Sequence, residues 1–296
     1  MPTKIEYCQN TWNPITGCSA NLISDGCKHC YAKRIVETRF SQNPSVHYSK
    51  IGFQPCVKEE AILHPQVPKK GVVFIGDMGD MFGLLEFYSE GVIIRYGGVI
   101  TIGSGFRQSC GEVEPLTFET AKWAVETVLK FVRSRPQQQF LILTKRPKAL
   151  MQLDVSLPNL WVGVSICNQE EVWKLRTLNE CNAVNRWLSI EPMLSSITFD
   201  RDELSKVNWV VCGGERTLKH EARPMQSEWA TDLMVECQFL DIPFFFKQTG
   251  SAAGNDFEDK VLAEFYRFRK WRELLAMKQL PVELQPPRLL ESGSLF

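Results

Sequence analysis

The chain has 296 residues, enough for one large domain, and its 34 Lys plus Arg balance 34 Asp plus Glu to a formal net charge of zero. That balance excludes a protein that holds nucleic acid by bulk electrostatics, although a local basic groove is compatible with it. No charged start runs into an apolar segment as in a signal peptide, and no stretch approaches the ~20 apolar residues of a membrane span, so a cytoplasmic protein with no membrane partner is expected.

In chain order, TWNPITGCSANLISDGCKHCYAKR (Thr11–Arg34) reads as a loop entering a helix, with Trp12, Asn13 and Pro14 shaping a tight turn before Cys18. GVVFIGDMGD from Gly71 reads as a buried strand breaking into a glycine-rich turn. Leu84–Pro115, with YGGVITIGSGF, reads as an inserted hairpin or loop; its GSG at Gly103–Gly105 is too little for a phosphate loop. Phe118–Arg133 has apolar residues at helical spacing. Strands follow at QFLILTKRP from Gln139, LWVGVSI from Leu160, RWLSIEP from Arg186, WVVCGGE from Trp209 and IPFFFKQTG from Ile242, with helices at Glu170–Cys181 and Glu228–Leu240. Beyond Gly250 an amphipathic helix is expected at Phe257–Lys278. There Arg267, Arg269, Lys270 and Arg272 alternate with Phe265, Tyr266, Phe268 and Trp271. A cover helix with a solvated face explains this pattern, and nucleic-acid contact is the alternative.

The strands are apolar throughout, as when both faces are covered, and repeated βα units imply a parallel sheet. Each ends in a polar residue and a turn: Asp77, Lys145, Ser165, Glu191, Glu215, Lys247. In a (β/α) barrel these ends make the active-site face. The expected fold is therefore α/β, a partial or complete (β/α) barrel over residues 1–250 with an insertion near 84–115 and a C-terminal helical extension over 251–296. A doubly wound open sheet is the competing architecture.

Of the ten cysteines, Cys56, Cys110, Cys167, Cys181, Cys212 and Cys237 sit singly in apolar surroundings and read as small buried side chains. Cys18, Cys27 and Cys30 differ. The two-residue gap between Cys27 and Cys30 lets two thiolates converge on one centre at a helix start, where thiolate is favoured. Gly17 and Gly26 free the backbone before two of the three. A redox dithiol leaves Cys18 unexplained. Structural zinc needs a fourth ligand, from Cys8 or His29. Three thiolates on a four-iron cluster leave one iron open. Spacing alone leaves zinc and iron–sulfur level.

TWNPITGC, GCKHCYAKR, FIGDMGDMFG, LILTKRP, LWVGVSI, RWLSIEPML, WVVCGGE, ARPM and IPFFFKQTG occur in one order over Thr11–Gly250. In these pieces the chain resembles the phage-associated, three-cysteine-motif, radical-SAM-like proteins, most of which have no assigned function. The resemblance implies a barrel of the radical-SAM/TIM type. It implies a [4Fe-4S] cluster on Cys18, Cys27 and Cys30, S-adenosylmethionine on the fourth iron, and an external electron donor. An adenosyl radical would then act on an unknown substrate, perhaps a nucleotide or nucleic acid. Two features depart from the common pattern: eight residues separate the first two cysteines instead of three, and His29 stands where an aromatic is usual. GDMGD (Gly76–Asp80) is the candidate for the glycine-rich element.

Lys145, Glu191, Glu215 and Lys247 are the catalytic candidates, and Asp77, Asp80, Arg146 and Arg223 the cofactor contacts. Strand-end charges also pair with one another as simple salt bridges, which is the bland explanation for each. The alternative function is a zinc-binding or nucleic-acid-associated phage-type protein without radical chemistry; a cluster-bearing oxygen sensor is a third.

Overall fold

The computed structural model describes residues 5–19, 23–43, 47–95, 112–252 and 281–284. Among the described residues there are eleven strands: β1 (Asn10–Trp12), β2 (Ile15–Thr16), β3 (Cys56–Lys58), β4 (Val73–Ile75), β5 (Val92–Arg95), β6 (Glu112–Pro115), β7 (Phe140–Thr144), β8 (Leu160–Ser165), β9 (Asn185–Ile190), β10 (Trp209–Gly213) and β11 (Phe244–Gln248). Seven form a sheet in the order β1-β4-β7-β8-β9-β10-β11, with every neighbouring pair parallel. That order never reverses, so there is no topological switch point of the doubly wound kind. The sheet curls as a half-barrel, and all seven C-terminal ends lie on one face. β2, β3, β5 and β6 make a second, smaller sheet.

Side-chain alternation sorts each strand between two cores. The convex side carries Val73, Ile75, Phe140, Ile142, Val162, Leu188, Val210 and Phe244 against the helices. Helix Phe118–Arg133 buries Ala121, Ala124, Val125, Val128, Leu129 and Val132 there, a stripe at three- and four-residue spacing. Thr117 caps it, its side chain accepting from the Thr120 N–H at 3.2 Å, an interaction worth about 1 kcal/mol. The concave side is filled by aromatics: Phe74, Trp161, Trp187, Trp209 and Phe245, closed by Tyr7. Trp187 and Trp209 stack at 5.3 Å. Gly163 makes room for this layer, because a Cβ there would come within 2.7 Å of the Trp187 ring.

The expected strands form, as do the helices expected at Phe118–Arg133, Glu170–Cys181 and Glu228–Leu240, with β7 ending at Thr144, one residue before Lys145. β1, β2 and β3 were not expected; each has only two or three residues. The ends of the 84–115 segment are part of the fold: β5 and β6 pair antiparallel, β5 pairs with β3, and Leu84, Leu85, Ile93 and Ile94 are buried. GSG at 103–105, Cys110 and the whole of the expected helix Phe257–Lys278, including its basic and aromatic residues, lie outside the described residues. No helix among the described residues is long and apolar enough to cross a membrane.

Candidate metal centre at the strand ends

The loop carrying the cysteines is held by backbone contacts that only glycine permits. Gly17 has φ +74°, and a Cβ on it would overlap the Gln54 carbonyl and sit 2.7 Å from the Phe53 oxygen. Gly17 N–H donates to Met78 O at 2.9 Å, and Asp80 N–H returns to Gly17 O at 3.3 Å. Gly79 lies so close that a Cβ would come within 2.5 Å of that same Gly17 oxygen. GDMGD is thus strapped to the residue before Cys18, whose own N–H donates to Phe53 O at 3.1 Å.

The stretch around Cys27 is held from the ends of β8 and β10. Ser24 caps the turn Asp25–Cys27, accepting from Gly26 N–H at 3.2 Å. Its hydroxyl also reaches the buried Cys167 thiol at 3.4 Å, and a Cβ on Gly26 would come within 2.5 Å of that sulfur. Glu171 accepts from Asp25 N–H at 3.2 Å and from Cys167 N–H at 3.0 Å, and pairs with the buried Lys174 at 2.8 Å. Arg223 donates to Asp25 O at 2.9 Å and is forked onto Glu215 through Nε at 3.0 Å and through Nη2. Burial pushes the Glu215 carboxyl up, and the bonds from Arg223 outweigh it, leaving its pKa lowered; burial of Glu171 is likewise outweighed by Lys174.

A polar belt crosses the mouth inside this frame. Lys145 Nζ donates to Ser165 Oγ at 3.1 Å, Ser165 Oγ donates to the Glu191 carbonyl at 3.4 Å, and Lys247 pairs with the Glu191 carboxylate at 2.8 Å. Gln248 adds a longer contact to Glu191 at 3.4 Å. At the end of β4, Asp77 accepts from Asn13 Nδ2 at 2.6 Å, and its carbonyl accepts from the Tyr31 hydroxyl. Burial raises the Asp77 carboxyl above its ordinary range despite Asn13. Asp80 faces another way: it accepts from Thr144 Oγ1 at 2.8 Å, from Lys145 N–H at 2.9 Å and from Gly83 N–H at 3.1 Å.

The three thiols are free and half-buried. Cys18 is within electrostatic reach of both Cys27 and Cys30, and Cys27 of Cys30, Cys167 and Lys145. Burial, then Asp80, raises the Cys18 thiol to about 12 against the opposing Arg146, and burial raises Cys27 against Lys145. The expected thiolate preference at a helix start is thus overridden at Cys27, which ends a three-residue turn; Cys30 precedes the helix, of only five residues. Burial disfavours the Lys145 ammonium, and Cys167, Cys27, Cys30 and Asp80 outweigh it to hold its pKa up. Among the described residues, no three His, Cys, Asp or Glu side chains close to the spacing of a single metal ion. Of the two candidate fourth ligands, Cys8 is buried in the concave aromatic core and His29 faces Glu221 at 3.9 Å.

The candidates therefore gather at one end of the sheet, with Lys247 inside β11 and Arg223 in the loop after β10, and they divide into groups. Lys145, Glu191 and Lys247 meet in the belt, and Asp77 joins Asn13 and Tyr31. Glu215, Arg223 and Asp80 are spent on fixing loops, and Arg146 ties Glu86 to Ser19. Sequence reasoning missed Cys167, Glu171, Lys174 and Tyr31 as parts of the site. The Glu171–Lys174 spacing was a signal, since it puts opposite charges on one helical face, but exposed pairs share it.

A parallel half-barrel with a strapped three-cysteine loop at its C-terminal mouth defines the class. The chain belongs to the family described as a protein of unknown function (DUF5131), whose model matches residues 2–85 and 117–275 and passes over 86–116. No curated protein and no solved structure matches the chain.

Proposed function

We propose that Cys18, Cys27 and Cys30 hold a [4Fe-4S] cluster and that the protein is a radical-SAM-type enzyme, as its phage-associated relatives by resemblance would be. The carrying observation is the donor set: three free, half-buried thiols within electrostatic reach of one another on a glycine-strapped loop at a barrel mouth. Three thiolates suit a four-iron centre with one open iron better than structural zinc, which takes four protein ligands. The positions of Cys8 and His29 favour an iron without a fourth protein ligand. Cys18, Cys27 and Cys30 would hold the cluster, which would supply the single electron for reductive cleavage of S-adenosylmethionine, the electron coming from an external donor.

The chain's own groups bind, orient and exclude water. Lys145 places a positive charge beside the thiolates. Glu191 and Lys247 hold each other rigidly across the mouth, and Asp77, Asn13 and Tyr31 form the opposite wall. Trp161, Trp187 and Trp209 floor the site and keep water from entering below.

Anaerobic reconstitution followed by iron, sulfide and zinc analysis tests the metal. Dithionite reduction with S-adenosylmethionine, read by spin resonance and by chromatography for methionine and 5′-deoxyadenosine, tests the chemistry. Stoichiometric zinc without sulfide refutes the cluster. An intact, reduced cluster whose spectrum S-adenosylmethionine leaves unchanged, with none consumed, refutes the enzyme.

A further inference from the structure

Arg146 is buried, its side chain only 3% exposed. Its Nη1 donates to Glu86 Oε2 at 3.1 Å and its Nη2 to Ser19 Oγ at 2.7 Å. The Phe87 ring lies 4.0 Å from Cζ and supplies a cation–π contact, but no oxygen or sulfur acceptor. Nε is buried and, among the described residues, has no hydrogen-bond partner. Such an orphaned charged donor is rare in a folded interior and calls for an acceptor. The conformation is built in: Gly83 leaves room for it, since a Cβ there would come within 2.9 Å of Arg146 Cδ and 3.2 Å of Nε.

The acceptor is of identifiable chemistry. Ser19, which Arg146 holds, is the residue after Cys18, and the Cys18 thiol is the cysteine that feels the guanidinium. Asp80, also beside Cys18, has its oxygens taken by Thr144, Lys145 N–H and Gly83 N–H. We propose that Arg146 is a positioning residue of the cluster, donating its Nε–H to the Cys18 sulfur once that sulfur is a cluster-bound thiolate. This deepens the cluster assignment and rests on it. Hydrogen bonds to sulfur and local net charge set cluster potentials, so the bond stabilises the more negative, reduced state, while Glu86 on the other edge opposes it.

Potentiometric titration of reconstituted protein, followed by spin resonance and by iron retention under chelator, reads this without any turnover. Arg146→Lys keeps the charge and loses Nε–H; it lowers the midpoint by at least a tenfold change in the reduction equilibrium, about 59 mV for one electron, and speeds iron loss. Glu86→Gln leaves the cation less opposed and raises the midpoint. Opposite signs are what a loosened fold would not give. If Arg146→Lys does not fold, Glu86→Gln decides alone by the direction of its shift. Shifts of one sign in both variants, or none in either, overturn the inference while the cluster stands; a wild-type chain that assembles no cluster overturns both.

Discussion

Gly17→Ala is the sharpest probe of the cysteine strap. The residue sits at φ +74°, where an L side chain costs about 1–2 kcal/mol. Its Cβ would also strike backbone rather than a yielding side chain, lying 2.6 Å from the Gln54 carbonyl carbon and 2.7 Å from Phe53 O. Overpacking of that kind adds about 1–3 kcal/mol, for a sum of about 2–5 kcal/mol. Against a total stability of about 5–15 kcal/mol, the chain stays folded but the strap must move. Phe53 O is the acceptor for Cys18 N–H at 3.1 Å, so the movement is delivered to the first thiol. Gly71→Ala is the control. It has φ +86° and meets Gln9 and Asn10 side-chain atoms at 3.2 Å, at the opposite end of β4. It should cost about 1–2 kcal/mol and leave the cysteines alone. Urea unfolding of the apo chain gives the stabilities, and iron per chain after anaerobic reconstitution gives the site. Gly17→Ala should lose most of its iron and Gly71→Ala none. Equal iron in both variants, or equal loss, would refute the strap.

Cys18→Ala, Cys27→Ala and Cys30→Ala should each abolish the visible absorption of reconstituted protein, because three ligands of one centre act as a unit; Cys212→Ala and Cys237→Ala, in the convex core, should not. Arg95 and Glu112 are register partners, so replacing 96–111 by a short Gly-containing turn should preserve soluble, cluster-bearing protein, whereas excising 84–115 removes buried Leu84, Leu85, Ile93 and Ile94 and should abolish it. Glu171 and Glu215 have lowered pKa values in the fold. Their contribution is complete above the unfolded value of about 4.3 and is lost as pH falls through the folded values. Urea midpoints between pH 7 and 3 should therefore fall less steeply in Arg223→Met, which frees Glu215; an unchanged slope would remove Glu215 from the linkage. Lys174→Met should cost about 3–5 kcal/mol by leaving Glu171 buried and unpaired, read from the same unfolding curves.

The strands and the barrel class were legible because burial on both faces writes continuous apolar runs, and the cysteines because C-x2-C flanked by glycine is uncommon in a core. The short β1, β2 and β3 were not, because two or three residues cannot display a period. The charges show the harder limit. Glu215, Asp80 and Arg146 follow strands as Glu191 does, and Arg223 lies in the loop after β10, so by letter they are the same kind of residue as Glu191 and Lys247. What separates them is their partner, and partners such as Asp25 and Arg223 are 198 residues apart. A carboxylate forked onto an arginine that also grips the cysteine loop has its acceptors filled, and its work is geometric. Glu191, with Lys247 on its carboxylate and only a long contact to Gln248 at 3.4 Å, keeps acceptor capacity toward the mouth. Asp77, raised by burial, accepts through one carboxylate oxygen from Asn13 Nδ2 at 2.6 Å. On the proposed function, we assign substrate recognition to the Asp77–Tyr31 wall and the Glu191–Lys247 belt, and Asp77→Asn should weaken substrate effects while leaving iron content unchanged. The reverse pattern, iron lost with Asp77→Asn, would put Asp77 among the loop-fixing residues and leave the belt as the recognition surface.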